Sequence, residues 1–118
     1  MPQVEPLRGS ERHLAPGVAY DPTAGGRSTP TRVLAAHFAA RPDAPCLIVP
    51  GGPTLSFAAL DARSRMVAGR LAAAGLAAGD RILFSAAASA ELVVAHVACL
   101  RLGLTVVPAN TAYRAAEI

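Results

Sequence analysis

Two short apolar runs constrain this chain more than any other feature. Arg81-Ile82-Leu83-Phe84-Ser85 and Leu104-Thr105-Val106-Val107-Pro108 are each too short for a helix and too apolar for a loop. Between them, Ala90 to Leu102 has the length and composition of a helix. It opens behind Ser89, a good N-cap, with Glu91 in its first turn and Arg101 in its last, as the helix dipole favours. Gly103 closes it in the manner of a left-handed C-cap. Strand, helix and strand in that order form a βαβ unit whose crossover is long enough for parallel pairing. Both strands are apolar throughout, which predicts helices on both faces of the sheet.

The preceding residues extend the same logic. Thr29 caps a helix beginning at Pro30, with Val33, Leu34, His37 and Phe38 at helical spacing and Pro42 as its stop. Cys46 to Val49 reads as a strand, Pro50-Gly51-Gly52-Pro53 as a turn, and Thr54 to Ser56 as the returning strand of a hairpin. Ser56 then caps a helix from Phe57 to about Ala74. Leu60, Val67 and Leu71 line one face, Arg63 and Arg70 another, and Gly75 ends it. Leu76 to Asp80 is a loop. Asn110-Thr111 leads to a last helical start at Ala115, and the sequence stops at Glu117-Ile118 within what reads as a first turn. Too few residues remain there to offset nucleation, so a truncated domain is expected. Residues 1–28 hold four prolines, the pair Gly25-Gly26 and unpatterned charges. They are expected to form a flexible segment ahead of a domain spanning 29–118.

Composition then removes whole classes of chemistry. The 118 residues include eleven arginines and no lysine, so no Schiff base, P-loop lysine or lysine phosphate clamp is available. The net charge of +3 does not make a nucleic-acid binder. The arginines are dispersed, and aromatics amount to 4%, which leaves no stacking platform; solvated helix faces account for the arginines. Cys46 and Cys99 sit in apolar stretches and read as buried thiols of a reducing compartment, not as a disulfide or metal pair. His13, His37 and His96 lack ligand spacing. The N-terminus has no signal-peptide core, and Leu92 to Leu100 falls short of the roughly 20 residues that span a bilayer. A soluble, cytoplasmic protein is expected.

No reaction centre emerges from the residues themselves. Gly51-Gly52 follows a strand but precedes another strand, whereas a phosphate loop opens onto a helix N-terminus. Ser85 and Ser89 lie near the end of a parallel strand, where open α/β sheets place ligands. No Gly-x-Ser-x-Gly elbow surrounds either, and capping explains Ser89. Asp61, Asp80, Glu91 and Glu117 are separate in sequence, and Cys99 lies mid-helix among apolar neighbours as an inert thiol.

The order of motifs carries more. Leu55-Ser56-Phe57-Ala58-Ala59-Leu60 followed by Asp61-Ala62-Arg63-Ser64 resembles the first core motif of the adenylate-forming (AMP-binding) enzymes. That superfamily includes acyl-CoA synthetases, luciferases and peptide-synthetase adenylation domains. Leu71 to Arg81, with its Gly75 and Gly79-Asp80-Arg81, resembles the next conserved segment, and Ser89 to Ala95 a third. Ala98-Cys99-Leu100-Arg101-Leu102-Gly103 through Pro108-Ala109-Asn110-Thr111 is similar to the second core motif. The likeness covers about residues 30 to 118, and four blocks in one order make it specific. Asn110 to Arg114 leans toward acyl-CoA synthetases, including malonyl-CoA synthetase-like members. Three positions depart from the pattern. Ala59 replaces a Glu that would complete a capping box with Ser56, at a cost of about 1 kcal/mol. Ala88 replaces an Asn, and Leu104 a small residue; both are expected to weaken local order.

The resemblance implies a ligase of fatty acid or related acid metabolism. A carboxylic acid attacks the ATP α-phosphate, with magnesium neutralising the phosphates, and coenzyme A then takes the acyl group. In such enzymes a phosphate loop, an adenine- and ribose-binding set and a C-terminal lysine do this work, all beyond the motifs present here. The expected fold is therefore α/β, βαβ units with a partly parallel sheet, an incomplete N-terminal portion of the large domain. No catalytic, cofactor or metal residue is assigned, and ATP, Mg and coenzyme A are not expected to bind these residues tightly. An open sheet edge predicts a complementary partner chain or self-association. Two other readings remain open: a stand-alone, non-catalytic binding module, and part of a peptide-synthetase adenylation domain.

Overall fold

The structure, a computed structural model, describes residues 29–117; the expectation for 1–28 lies outside the described residues. The elements run α1 (Pro30–Ala40), β1 (Pro45–Ile48), β2 (Thr54–Ser56), α2 (Phe57–Ala73), β3 (Arg81–Phe84), α3 (Ala90–Leu102) and β4 (Thr105–Pro108), then a 3-10 turn at Ala115–Glu117. β1 and β2 pair antiparallel, and β3 and β4 pair parallel in the register Leu83 to Val107. The α/β class and the parallel βαβ unit are thus as the pattern of apolar runs predicts.

Local chemistry explains each boundary. The Oγ atoms of Thr29, Ser56 and Ser89 accept from the amides of Arg32, Ala59 and Leu92 at 3.3, 3.1 and 3.1 Å, so all three helices carry the N-cap expected of them. Two of the free amides at the start of α2 are satisfied from upstream. The Phe57 and Ala58 amides, the first donors of α2, find the carbonyls of Ala44 and Pro42 at 3.1 and 2.8 Å. At the C-terminal ends, Gly75 and Gly103 have φ of 96° and 71°, and the amides of Leu76 and Leu104 reach back to the Leu71 and Cys99 carbonyls. Both ends are Schellman motifs. Leu104 follows the second of them and is buried. Asp80 ends the α2–β3 loop by accepting the Ala77 amide at 2.8 Å, while its own carbonyl receives the Thr105 amide at 2.8 Å.

The core lies between the hairpin, α2 and α3. Leu55, Leu60, Ala90, Val94 and Val97 are buried together, with Leu34, Phe38, Leu47 and Val67 packed against them. Two expectations need correction. Val33 does not join this surface and is exposed, because the inward stripe of α1 runs through Thr31, Leu34, His37 and Phe38. Among the described residues, the parallel pair is also covered on one face only. α3 shields Ile82, Phe84 and Val106, whereas Leu83 is 48% and Val107 40% exposed on the other side. An apolar strand records that both faces are suited to burial; it does not record whether the chain at hand supplies the second cover.

Candidate functional site

The C-terminal ends of β3 and β4 are where an open α/β sheet would present a ligand site. The Ala109 amide donates to the Phe84 carbonyl at 2.7 Å and holds the strand ends together. Beyond them the loop to Ser89 borders an open hollow of about 320 Å³, with Ser85, Ala86, Ser89, Glu91 and Leu92 on its wall. A smaller recess of about 140 Å³ beside it is lined by Phe84, His96, Val106 and Pro108, among others. His96 sits edge-on to the Phe84 ring, with centroids 6.2 Å apart.

This geometry brings two hydroxyls near one strand end without activating either. The Ser89 oxygen is engaged by the Leu92 amide, and no hydrogen bond joins Ser85 or Ser89 to an imidazole or carboxylate among the described residues. A nucleophilic serine needs such a base within reach. The hollow also does not fit a magnesium triphosphate. Its polar wall is two neutral hydroxyls and the Glu91 carboxylate, which repels phosphate, and its lining contains no cation. Among the described residues, no three of His, Cys, Asp and Glu converge as a metal-binding set. Gly51-Gly52 forms the hairpin turn, with Gly51 at φ 69° and the Gly52 amide bonded to the Val49 carbonyl at 2.9 Å, so no helix N-terminus stands behind it.

The strongest electrostatic feature lies elsewhere, where α2 meets α3. Ser64 is fully buried on the inward face of α2. Its hydroxyl donates to the Asp61 carbonyl at 3.1 Å and accepts from Arg101 Nε at 2.9 Å. An Arg101 terminal nitrogen also pairs with the Asp61 carboxylate, which takes a second bond from Arg65 Nε at 3.0 Å. The Arg101 guanidinium then lies over the Phe38 ring of α1, 5.2 Å from its centroid. Partial burial pushes the Asp61 carboxyl up, but the bonds and charges of Arg65 and Arg101 outweigh it and hold the group below the usual carboxylate range.

Sequence reasoning missed this hub. In the sequence the helix dipole is reason enough for Arg101, and Asp61 stands alone because its partner is 40 positions away. The available signal was Ser64, a polar residue in register with Leu60, Val67 and Leu71 on the apolar face, which must find a partner if buried. Arg101 is committed to two acceptors and an aromatic face, so it ties three helices together. Both cysteines are free thiols, and burial raises the pKa of each, with Arg41 partly opposing the effect at Cys46. Neither is an activated nucleophile. No helix among the described residues is long and apolar enough to cross a membrane.

Comparison with known proteins gives this scaffold a context. The family model described as AMP-binding enzyme matches residues 34–118. The medium-chain fatty-acid–CoA ligase of Escherichia coli (strain K12) is 33% identical over 79 residues, which are 67% of this chain and 14% of that protein. Apo MatB from Rhodopseudomonas palustris superposes with a TM-score of 0.66 at 34% identity, over 74% of this chain and 18% of its own. The O-succinylbenzoate coenzyme A synthetase MenE from Bacillus subtilis, solved with AMP, gives 0.65 at 33% identity, over 69% of this chain and 21% of its own. The chain therefore spans no more than about a fifth of the relatives it matches. By a family match over most of its length and by its fold, the chain belongs to the AMP-binding enzymes and corresponds to the N-terminal portion of their adenylate-forming fold.

Proposed function

We propose that these residues are the scaffold of an ATP-dependent acid–CoA ligase and carry none of its catalytic groups. The parent reaction joins a carboxylic acid to ATP as an acyl-adenylate and passes the acyl group to coenzyme A. The likeness to a fatty-acid–CoA ligase and a coenzyme A synthetase, each at 33% identity, supports that reaction over peptide-synthetase adenylation. The observation that carries the scaffold reading is the sheet end itself. The place where such a fold presents ligands offers here two neutral hydroxyls, one already used as a helix cap, and a carboxylate of the wrong sign for phosphate. Everything elaborate in the structure, from the Schellman turns to the Arg101 hub, serves packing. Two free, unactivated thiols fit a reducing, cytoplasmic setting.

Standing alone, the chain is of low stability and self-associates through the bare face around Leu83 and Val107. Thermal unfolding with and without magnesium-ATP, or with a non-hydrolysable acyl-adenylate analogue, tests the scaffold reading. A ligand at 100 times its Kd would add about 2.7 kcal/mol, so the scaffold reading expects an unchanged midpoint. A saturable rise would instead establish a stand-alone nucleotide-binding module.

A further inference from the structure

We propose that the hollow between α1 and α3 binds a small organic carboxylate, its head on a free edge of the Arg101 guanidinium and its body against Leu34, Phe38 and Val97. The hollow measures about 260 Å³ and is walled by those residues together with Thr31 and Ala35. That is slightly below the range that holds drug-sized molecules, so the ligand is small. The make-up is that of a ligand site, apolar walls with a few polar groups to fix orientation. Its sign is also selective. The strand-end hollow has Glu91 on its wall, and the groove between α2 and α3 has both Arg63 and Glu91. This one has a cation and no acid.

Arg101 retains donors for such a ligand. A guanidinium has five N–H groups. Nε is used by Ser64 and Nη2 by Asp61, while Nη1 has no hydrogen-bond partner among the described residues. Nor is Nη1 sealed away, since every fully buried side-chain nitrogen or oxygen among those residues is hydrogen-bonded. The side chain as a whole is only 21% exposed, so a bond made there is screened less than one on the open surface. The Nη1–Nη2 edge matches the two oxygens of a carboxylate. Charge favours it too, because two guanidiniums, of Arg65 and Arg101, surround the single carboxylate of Asp61. Among the described residues, the Thr31 hydroxyl is bonded only to that of Thr29, at 3.0 Å, and keeps capacity for another partner. Inorganic anions match the head of the site and not its apolar walls, where they lose hydration with nothing in return.

Benzoate, a rigid carboxylate with a compact apolar ring, tests this. Titrated into the full 118-residue chain, it should shift the NMR signals of residues 31–38 and 97–101 along one saturable curve, with a Kd of about 1–10 mM. Benzyl alcohol and benzylammonium have a similar shape without the negative charge and should bind at least about tenfold more weakly. Sulfate at equal concentration should not displace benzoate. Ala35→Phe fills the hollow from an exposed helix position, so the fold survives and benzoate affinity should drop at least about tenfold. Arg32→Gln removes an exposed charge of the same helix outside the hollow and should leave affinity within about twofold. Benzyl alcohol binding as tightly as benzoate, or sulfate displacing it, overturns the carboxylate assignment. Affinity unchanged in Ala35→Phe, affinity lost in Arg32→Gln, or no saturable shift at these positions below about 50 mM overturns the site.

Discussion

Replacing Arg101 by Met separates the packing role of that side chain from its charge. Met keeps the linear stem and removes the guanidinium. Two hydrogen bonds to a charged group are lost, each worth about 1.5–3 kcal/mol, along with a cation–π contact worth about 0.5–1. The simple sum overstates the cost, for reasons the structure makes plain. Asp61 retains Arg65, and its side chain is 24% exposed, so water reaches it. Ser64 still donates to the Asp61 carbonyl. Arg101, 21% exposed, also no longer bears its own desolvation. About 2–3 kcal/mol remains, a large part of the stability of any small domain, about 5–15 kcal/mol. Urea unfolding followed by circular dichroism should show a midpoint lowered by about 1–2 M at an unchanged slope. Arg65→Gln is the internal control: that side chain is 68% exposed, and its loss should cost at most about 0.5 kcal/mol. An Arg101→Met variant within about 0.5 kcal/mol of the parent, or an Arg65→Gln variant equally damaged, would refute the hub as the tie between helices.

Gly103→Ala places a Cβ at φ 71° and 3.3 Å from the Ala78 Cβ, so thermal unfolding should show a loss of about 1–2 kcal/mol. Charges on the bare sheet face, as in Leu83→Lys with Val107→Lys, should suppress self-association in sedimentation while costing little stability, since both side chains are already 40% exposed or more. Because the folded pKa of Asp61 is depressed, its stabilisation is complete above about pH 4 and declines as pH falls below that, toward the folded value. An acid titration should show this step in the parent and not in Asp61→Asn.

The fold was legible because its signals are local. A hydroxyl before each helix, a glycine after two of them and apolar runs of strand length lie within a few residues of the structure they determine, and the helix α3 matches at both ends. Small differences follow from hydrogen bonding: Ser85 and Leu104 fall outside their strands, and Pro45 enters β1 at a bulge next to Cys46. What could not be read was long-range. Arg101 and Asp61 meet only because α2 and α3 pack antiparallel across the core, and each residue had an adequate local explanation on its own. The covering of the sheet failed for a related reason. Leu83 and Val107 have the composition of a surface buried on both sides, while the described residues supply one side.

The central claim is that these residues hold up a nucleotide site without taking part in its chemistry. Acid-dependent exchange of labelled pyrophosphate into ATP, with the purified 118-residue chain, magnesium and a medium-chain fatty acid, tests it most directly. The account predicts no exchange above the rate without protein. Exchange that saturates with both ATP and acid would contradict it.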